Sequence, residues 1–88
     1  MLILKIKIMP ESPETNLNDI KKKAEKILSS FGGKLHSTEE QPIAFGLKAL
    51  IIMATWPEDK GPDALEEQLS KMPHINSSEI IDVRRAIG

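Results

Sequence analysis

Leu2, Leu4, Ile6 and Ile8 alternate with Ile3, Lys5, Lys7 and Met9 at the start of the chain. A period of two with one wholly apolar face predicts a half-buried strand. Pro10 and Pro13 end it. The period then lengthens. Leu17, Ile20, Ala24, Ile27, Leu28 and Phe31 fall on one stripe of a 3.6-residue helix. Asn16 can cap the first turn, Asp19 favours it electrostatically, and Gly32-Gly33 stops the helix.

Lys34 to Gln41 is polar enough to form a strand at a sheet edge. Gly46 to Thr55 is the strongest strand and is apolar on both faces, which predicts a central position. Trp56-Pro57 closes it, and Glu58-Asp59-Lys60-Gly61 is a charged turn. Pro62 suits the first position of a second helix, marked by Ala64, Leu65, Gln68, Leu69 and Met72 and followed by Pro73. Asn76 to Arg85 reads as the last strand. Strict alternation places Ile81, Val83 and Arg85 on one face and Ile80, Asp82 and Arg84 on the other.

The order β-α-β-β-α-β predicts an α+β fold, the ferredoxin-like sandwich. Its sheet has four antiparallel strands, with both helices on one face. Right-handed crossovers put the first and third strands at the centre. The opposite face is left open, and Lys5, Lys7, Lys48 and half of the final strand are candidates to line it.

Length supports this plan, since 88 residues make one domain, 1–88, with little room for a second core. Twelve basic and thirteen acidic side chains leave a net charge of -1, which gives no strong attraction to nucleic acid or an anionic membrane. The absence of cysteine excludes disulfides, thiolate metal sites and thiol nucleophiles, and fits a reducing cytoplasm. The apolar start is too short to span a membrane, and Lys5 and Lys7 interrupt it.

Enzyme chemistry finds little support. His36 and His74 lie in different halves, without metal-ligand spacing to another donor. Glu39-Glu40 and Glu58-Asp59 read more readily as solvated charges than as acid-base pairs. Ser29-Ser30 and Ser77-Ser78 have no glycine-rich elbow. Acylphosphatases share the fold, but the loop after the first strand, PESPETN, is acidic and has no arginine to hold a phosphate. RNA-recognition motifs also share it, yet they stack bases on aromatics of the central strands, and the first strand here has none.

The segment QPIAFGLK, Gln41 to Lys48, is the most informative. Pro42 lacks a backbone donor, and Gly46 admits close backbone approach. Between them stands Phe45, one of three aromatic residues in the chain. Packing at the end of the core and anchoring in a partner pocket are both open to it on residue grounds alone.

QPIAFGLKAL, the opening LKIKIMPESPETN and the ending SSEIIDVRRAIG together resemble the archaeal translation elongation factor 1-beta family, over the whole chain and in order. The resemblance implies a guanine-nucleotide exchange factor that promotes GDP release and GTP reloading on elongation factor 1-alpha, without covalent chemistry or a cofactor. That GTPase, GDP-bound or nucleotide-free, is the implied partner, with no direct nucleic acid contact and a monomer expected when free. Pro42, Ile43, Phe45 and Gly46 match the segment the family turns toward the GTPase. Eukaryotic relatives use a lysine near the C-terminus as an inserted cation. Matched without gaps, that position falls on Arg85, with Arg84 as its rival. A different class stays in view, a non-catalytic ferredoxin-like module that binds a small ligand or an RNA-associated protein.

Overall fold

The computed structural model describes residues 1–85. Residues 86–88, which the single expected domain includes, lie outside the described residues. The chain runs β1 (Leu2–Pro10), α1 (Leu17–Ser30), β2 (Lys34–Pro42), β3 (Lys48–Trp56), α2 (Pro62–Ser70) and β4 (Ile75–Arg85), with one 3-10 turn at Ala44–Gly46. The strands pair antiparallel in the order β2-β3-β1-β4, so the two apolar strands β1 and β3 are central. This is the ferredoxin-like sandwich.

The core is built by the two periods of the sequence meeting. Leu4, Ile6 and Ile8 of β1 stand level with Ala54, Ile52 and Leu50 of β3, and all six are buried. Ile20, Ala24 and Leu28 of α1, with Leu65 and Leu69 of α2, close over them. Each fully buried leucine or isoleucine contributes about 1.5–3 kcal/mol relative to exposure. Asn16 caps α1 as expected, its Oδ1 accepting from the Asn18 N–H at 2.9 Å. At the other end of α1, Gly32 turns left-handed (φ 87°), and the Gly33 N–H donates to the Leu28 carbonyl at 2.8 Å.

Four expectations need correction. β3 begins at Lys48 rather than Gly46, because Phe45 and Gly46 both leave the extended region. α2 stops at Ser70, although Met72 beyond it is still buried. The faces of β4 do not follow strict alternation. Lys5 pairs with Asp82 but Ile6 pairs with Ile80, so Ile81 is an unpaired bulge residue. One extra residue reverses the pleat. Ile80 therefore shares the helix side with Val83 and Arg85, while Asp82 and Arg84 lie on the open face. Lys5 and Lys7 do lie on the open face, level with Met53 and Ile51. Lys48 does not, because it has the parity of the core-facing Leu50 and Ile52.

Candidate functional site

The hairpin between β2 and β3 reverses in the five residues after Pro42. Pro42 pairs with Lys48 as the last rung of the ladder. Beyond it the Ile43 N–H donates to the Leu47 carbonyl at 2.8 Å, and the Leu47 N–H to the Ala44 carbonyl at 3.3 Å. So tight a reversal is made with two consecutive left-handed residues, Phe45 (φ 62°, ψ 28°) and Gly46 (φ 75°). Glycine adopts that region without penalty, whereas an L side chain loses about 1–2 kcal/mol there. A side chain on Gly46 would meet open space, so the backbone angle alone explains glycine at this position.

Phe45 is 94% exposed at the tip. It combines an unfavourable backbone with an apolar ring left in water. Among the described residues, no aromatic or cation-π pairing involves it. The fold thus presents the Phe45 ring to solvent at the hairpin tip. Ile43 behind it is half-buried and Pro42 exposed, so the tip is stiffened from its base rather than from its end. Lys48 meets Glu40 at 3.8 Å, both exposed, on the helix side of the hairpin.

Arg84 and Arg85 lie at the opposite end of the sheet. Leu2 pairs with Trp56 on one side and with Arg85 on the other, which fixes Arg85 beside the end of β3. Its Nε lies 2.8 Å from Glu58 Oε1, in the turn that follows β3. Arg84, on the open face, donates through Nε to Asp82 Oδ2 at 2.8 Å. Both guanidinium groups project from the molecule, with the side chains 77% and 79% exposed.

The candidate residues thus form two groups. Pro42, Ile43, Phe45 and Gly46 come together at one end. Arg84 and Arg85 are at the other, on opposite faces. Eight steps of β3 separate the ends, or about 26 Å at about 3.3 Å per residue; the longest dimension of the molecule is 39 Å. Glu39 and Glu40, weighed as an acid-base pair, are not arranged as one. Glu39 is level with Ile51 and Glu40 with Leu50, so the two point to opposite faces of the sheet. His74 lies 3.2 Å from Glu11, at the far end of β4 from the arginines. Glu58 is an exposed charge of the turn after β3, as expected, but its pairing with Arg85 was not foreseen. The antiparallel register was the signal that could have found it, since Trp56 and Arg85 flank the same β1 residue.

The fold is thus a ferredoxin-like sandwich with an exposed aromatic at one end of β3 and exposed guanidinium groups at the other. The EF-1 guanine nucleotide exchange domain family matches residues 3–86. The chain is 40% identical over 85 residues to elongation factor 1-beta of Methanothermobacter thermautotrophicus, covering 96% of this chain and 94% of that protein. It is 41% identical over 83 residues to elongation factor 1-beta of Methanosarcina barkeri, covering 92% of each. With the Metallosphaera sedula protein of the same name it shares 38% over 84 residues, 91% of this chain and 89% of that protein. A solved structure, the ACT domain from the GTP pyrophosphokinase of Chlorobium tepidum, aligns with a TM-score of 0.59 at 16% identity, covering 88% of this chain and 94% of that one. That likeness shows the fold alone. The chain belongs to the EF-1 guanine nucleotide exchange family, and it is a guanine-nucleotide exchange factor of translation elongation.

Proposed function

We propose that residues 1–88 act in the cytoplasm as a single exchange domain on elongation factor 1-alpha, gripping the GTPase at two places. Phe45 is the anchor, its ring buried in a partner pocket and its loop shaped by Pro42, Ile43 and Gly46. Arg85 is the cation brought toward the magnesium and phosphate region that holds GDP, with Arg84 beside it on the other face. The observation that carries this reading is Phe45, 94% exposed on a left-handed backbone at a hairpin tip. Burying such a ring against a partner recovers the apolar contact that the fold forgoes, and buried aromatics dominate interface energetics.

No covalent step is needed. A GTPase holds GDP through phosphate-binding backbone and magnesium. A factor that binds the nucleotide-free form more tightly than the GDP form must weaken GDP binding by the same ratio. A thousandfold faster release corresponds to about 4 kcal/mol off the barrier. Two contacts at opposite ends of β3 serve this end, because one can anchor while the other disturbs the nucleotide. The test is release of labelled GDP from elongation factor 1-alpha with and without the protein. A strong acceleration at substoichiometric amounts supports the reading. An unchanged release rate at saturating protein rejects it and favours a non-catalytic binding module.

A further inference from the structure

The turn after β3 is far better braced than its charges require. The Trp56 indole N–H donates to the Lys60 carbonyl at 2.9 Å, and the Lys60 N–H closes the turn on the Pro57 carbonyl at 3.3 Å. The Lys60 ammonium reaches across to the Phe31 carbonyl at 2.8 Å. Trp56 itself is fully buried. Glu58 therefore stands on a turn tied to both the core and the end of α1. From that mount its carboxylate meets Arg85 at 2.8 Å.

We propose that Glu58 is the positioning residue for Arg85, holding the guanidinium in the direction from which it approaches the nucleotide site of the GTPase. The proposal rests on the reading that Arg85 acts there. Two features support it. The partner comes from a different element. Asp82 lies two residues from Arg84 on the same strand and moves with it, whereas Glu58 fixes Arg85 against the body of the fold. Finally, a free arginine has about 2 kcal/mol of rotamer freedom to lose when it docks, and prior ordering removes part of that loss.

Exposed ion pairs are weak, so the expected effect is bounded. GDP release from labelled-GDP-loaded elongation factor 1-alpha is measured across a concentration series for the wild type, Glu58→Gln, Arg85→Met and the double variant. Glu58→Gln is expected to lower the maximal rate about threefold to fivefold, the most that an exposed pair of this kind commands. The half-saturating concentration and the melting temperature should hardly move. The double variant should be no slower than Arg85→Met alone, because a positioning residue has nothing to position once the arginine is gone. If Arg85→Met is damaging but Glu58→Gln is silent or faster, Glu58 does not position it. The positioning role is equally overturned if Glu58→Gln slows the Arg85→Met protein as much as the wild type, or raises only the half-saturating concentration. If Arg85→Met is itself silent, the underlying reading of Arg85 fails, and the positioning role fails with it.

Discussion

The two ends of β3 are opposites. At the Trp56 end the large ring is packed. The indole is fully buried, lies 5.3 Å from the Phe31 ring between centroids, and donates to Lys60. The chain passes so close there that a Cβ on Gly33 would sit 2.6 Å from the Thr55 carbonyl oxygen. At the Phe45 end the ring is 94% exposed and the backbone is left-handed. Two of the three aromatic residues pack on each other, and the third stands in solvent. Hydropathy cannot separate them, since all three are large and apolar. What separates them is whether the neighbouring backbone turns the side chain into the core or out of it.

The sharpest way to break that comparison is to truncate the packed ring. Trp56→Ala should destabilise the protein by about 3–5 kcal/mol, as loss of a buried large aromatic does. A small domain has only about 5–15 kcal/mol in total, so the melting temperature should fall by tens of degrees. Urea or thermal denaturation followed by circular dichroism reads this directly. A Trp56→Ala protein that melts like the wild type would show that this end is not the structural one.

Arg85 tests the same end from its surface. Arg85→Met should remove most of the exchange activity, by the equivalent of about 2–5 kcal/mol for a charged contact desolvated in the complex. Arg85→Lys should keep substantial activity, because charge matters there more than bulk. Arg84→Met is the matched control, since Arg84 points to the other face. Should the control be the damaging change and Arg85→Met the silent one, the cation has been assigned to the wrong face of β4. Silence in both would leave the Phe45 loop to carry the mechanism. Folding should be the same in all three proteins, since both side chains are exposed.

Phe45→Ala is the mirror of the tryptophan change. Exchange should weaken more than tenfold while the melting curve hardly shifts, because the ring is 94% exposed in the free protein. Stability assays and GDP-release assays would then sort the two ends in opposite senses. Loss of fold together with activity would overturn the anchor reading and make Phe45 a structural residue after all.

Much of this was legible from residue pattern alone. The period-two run from Leu2 to Ile8 and the helical stripe from Leu17 to Leu28 each carry an apolar face that must be buried. Crossover handedness then placed β1 and β3 in the centre. The bulge at Ile81 was not legible. Ile80 and Ile81 are equally apolar, so hydropathy offers no reason to choose which one leaves the ladder; Ile80 therefore changed sides, while Val83 with Arg85 and Asp82 with Arg84 kept the shared faces expected. The ion pair of Glu58 with Arg85 was hidden for another reason. It joins residues 27 positions apart in the sequence, and only the antiparallel register brings them together. Phe45 lay between these cases. Pro42 and Gly46 marked a reversal, but the left-handed angle at Phe45 itself has no signature in a phenylalanine.

That angle supports the smallest and most pointed prediction. A residue kept in left-handed backbone for the sake of its ring should be replaceable by one that prefers the conformation, with a gain in stability. Asparagine is enriched there, because its short polar side chain bonds locally, and it does not bring the extra unfolded-state freedom of glycine. Phe45→Asn should therefore stabilise the hairpin by roughly 0.5–1 kcal/mol, a fraction of the penalty a phenylalanine carries in this region. For a domain of this size that amounts to about 2–8 °C in melting temperature. Exchange should fall as far as it does in Phe45→Ala, because the ring is gone in both. Removing an apolar side chain from water acts in the same direction as relieving the backbone, so Phe45→Ala serves as the reference. It removes the ring but keeps a residue that dislikes positive φ. A higher melting temperature for Asn than for Ala, at equal loss of exchange, isolates backbone strain as the quantity the fold gives up at this tip. If Phe45→Asn melts below Phe45→Ala, the left-handed turn is not strained by phenylalanine. The contrast between the ends of β3 would then reduce to burial alone.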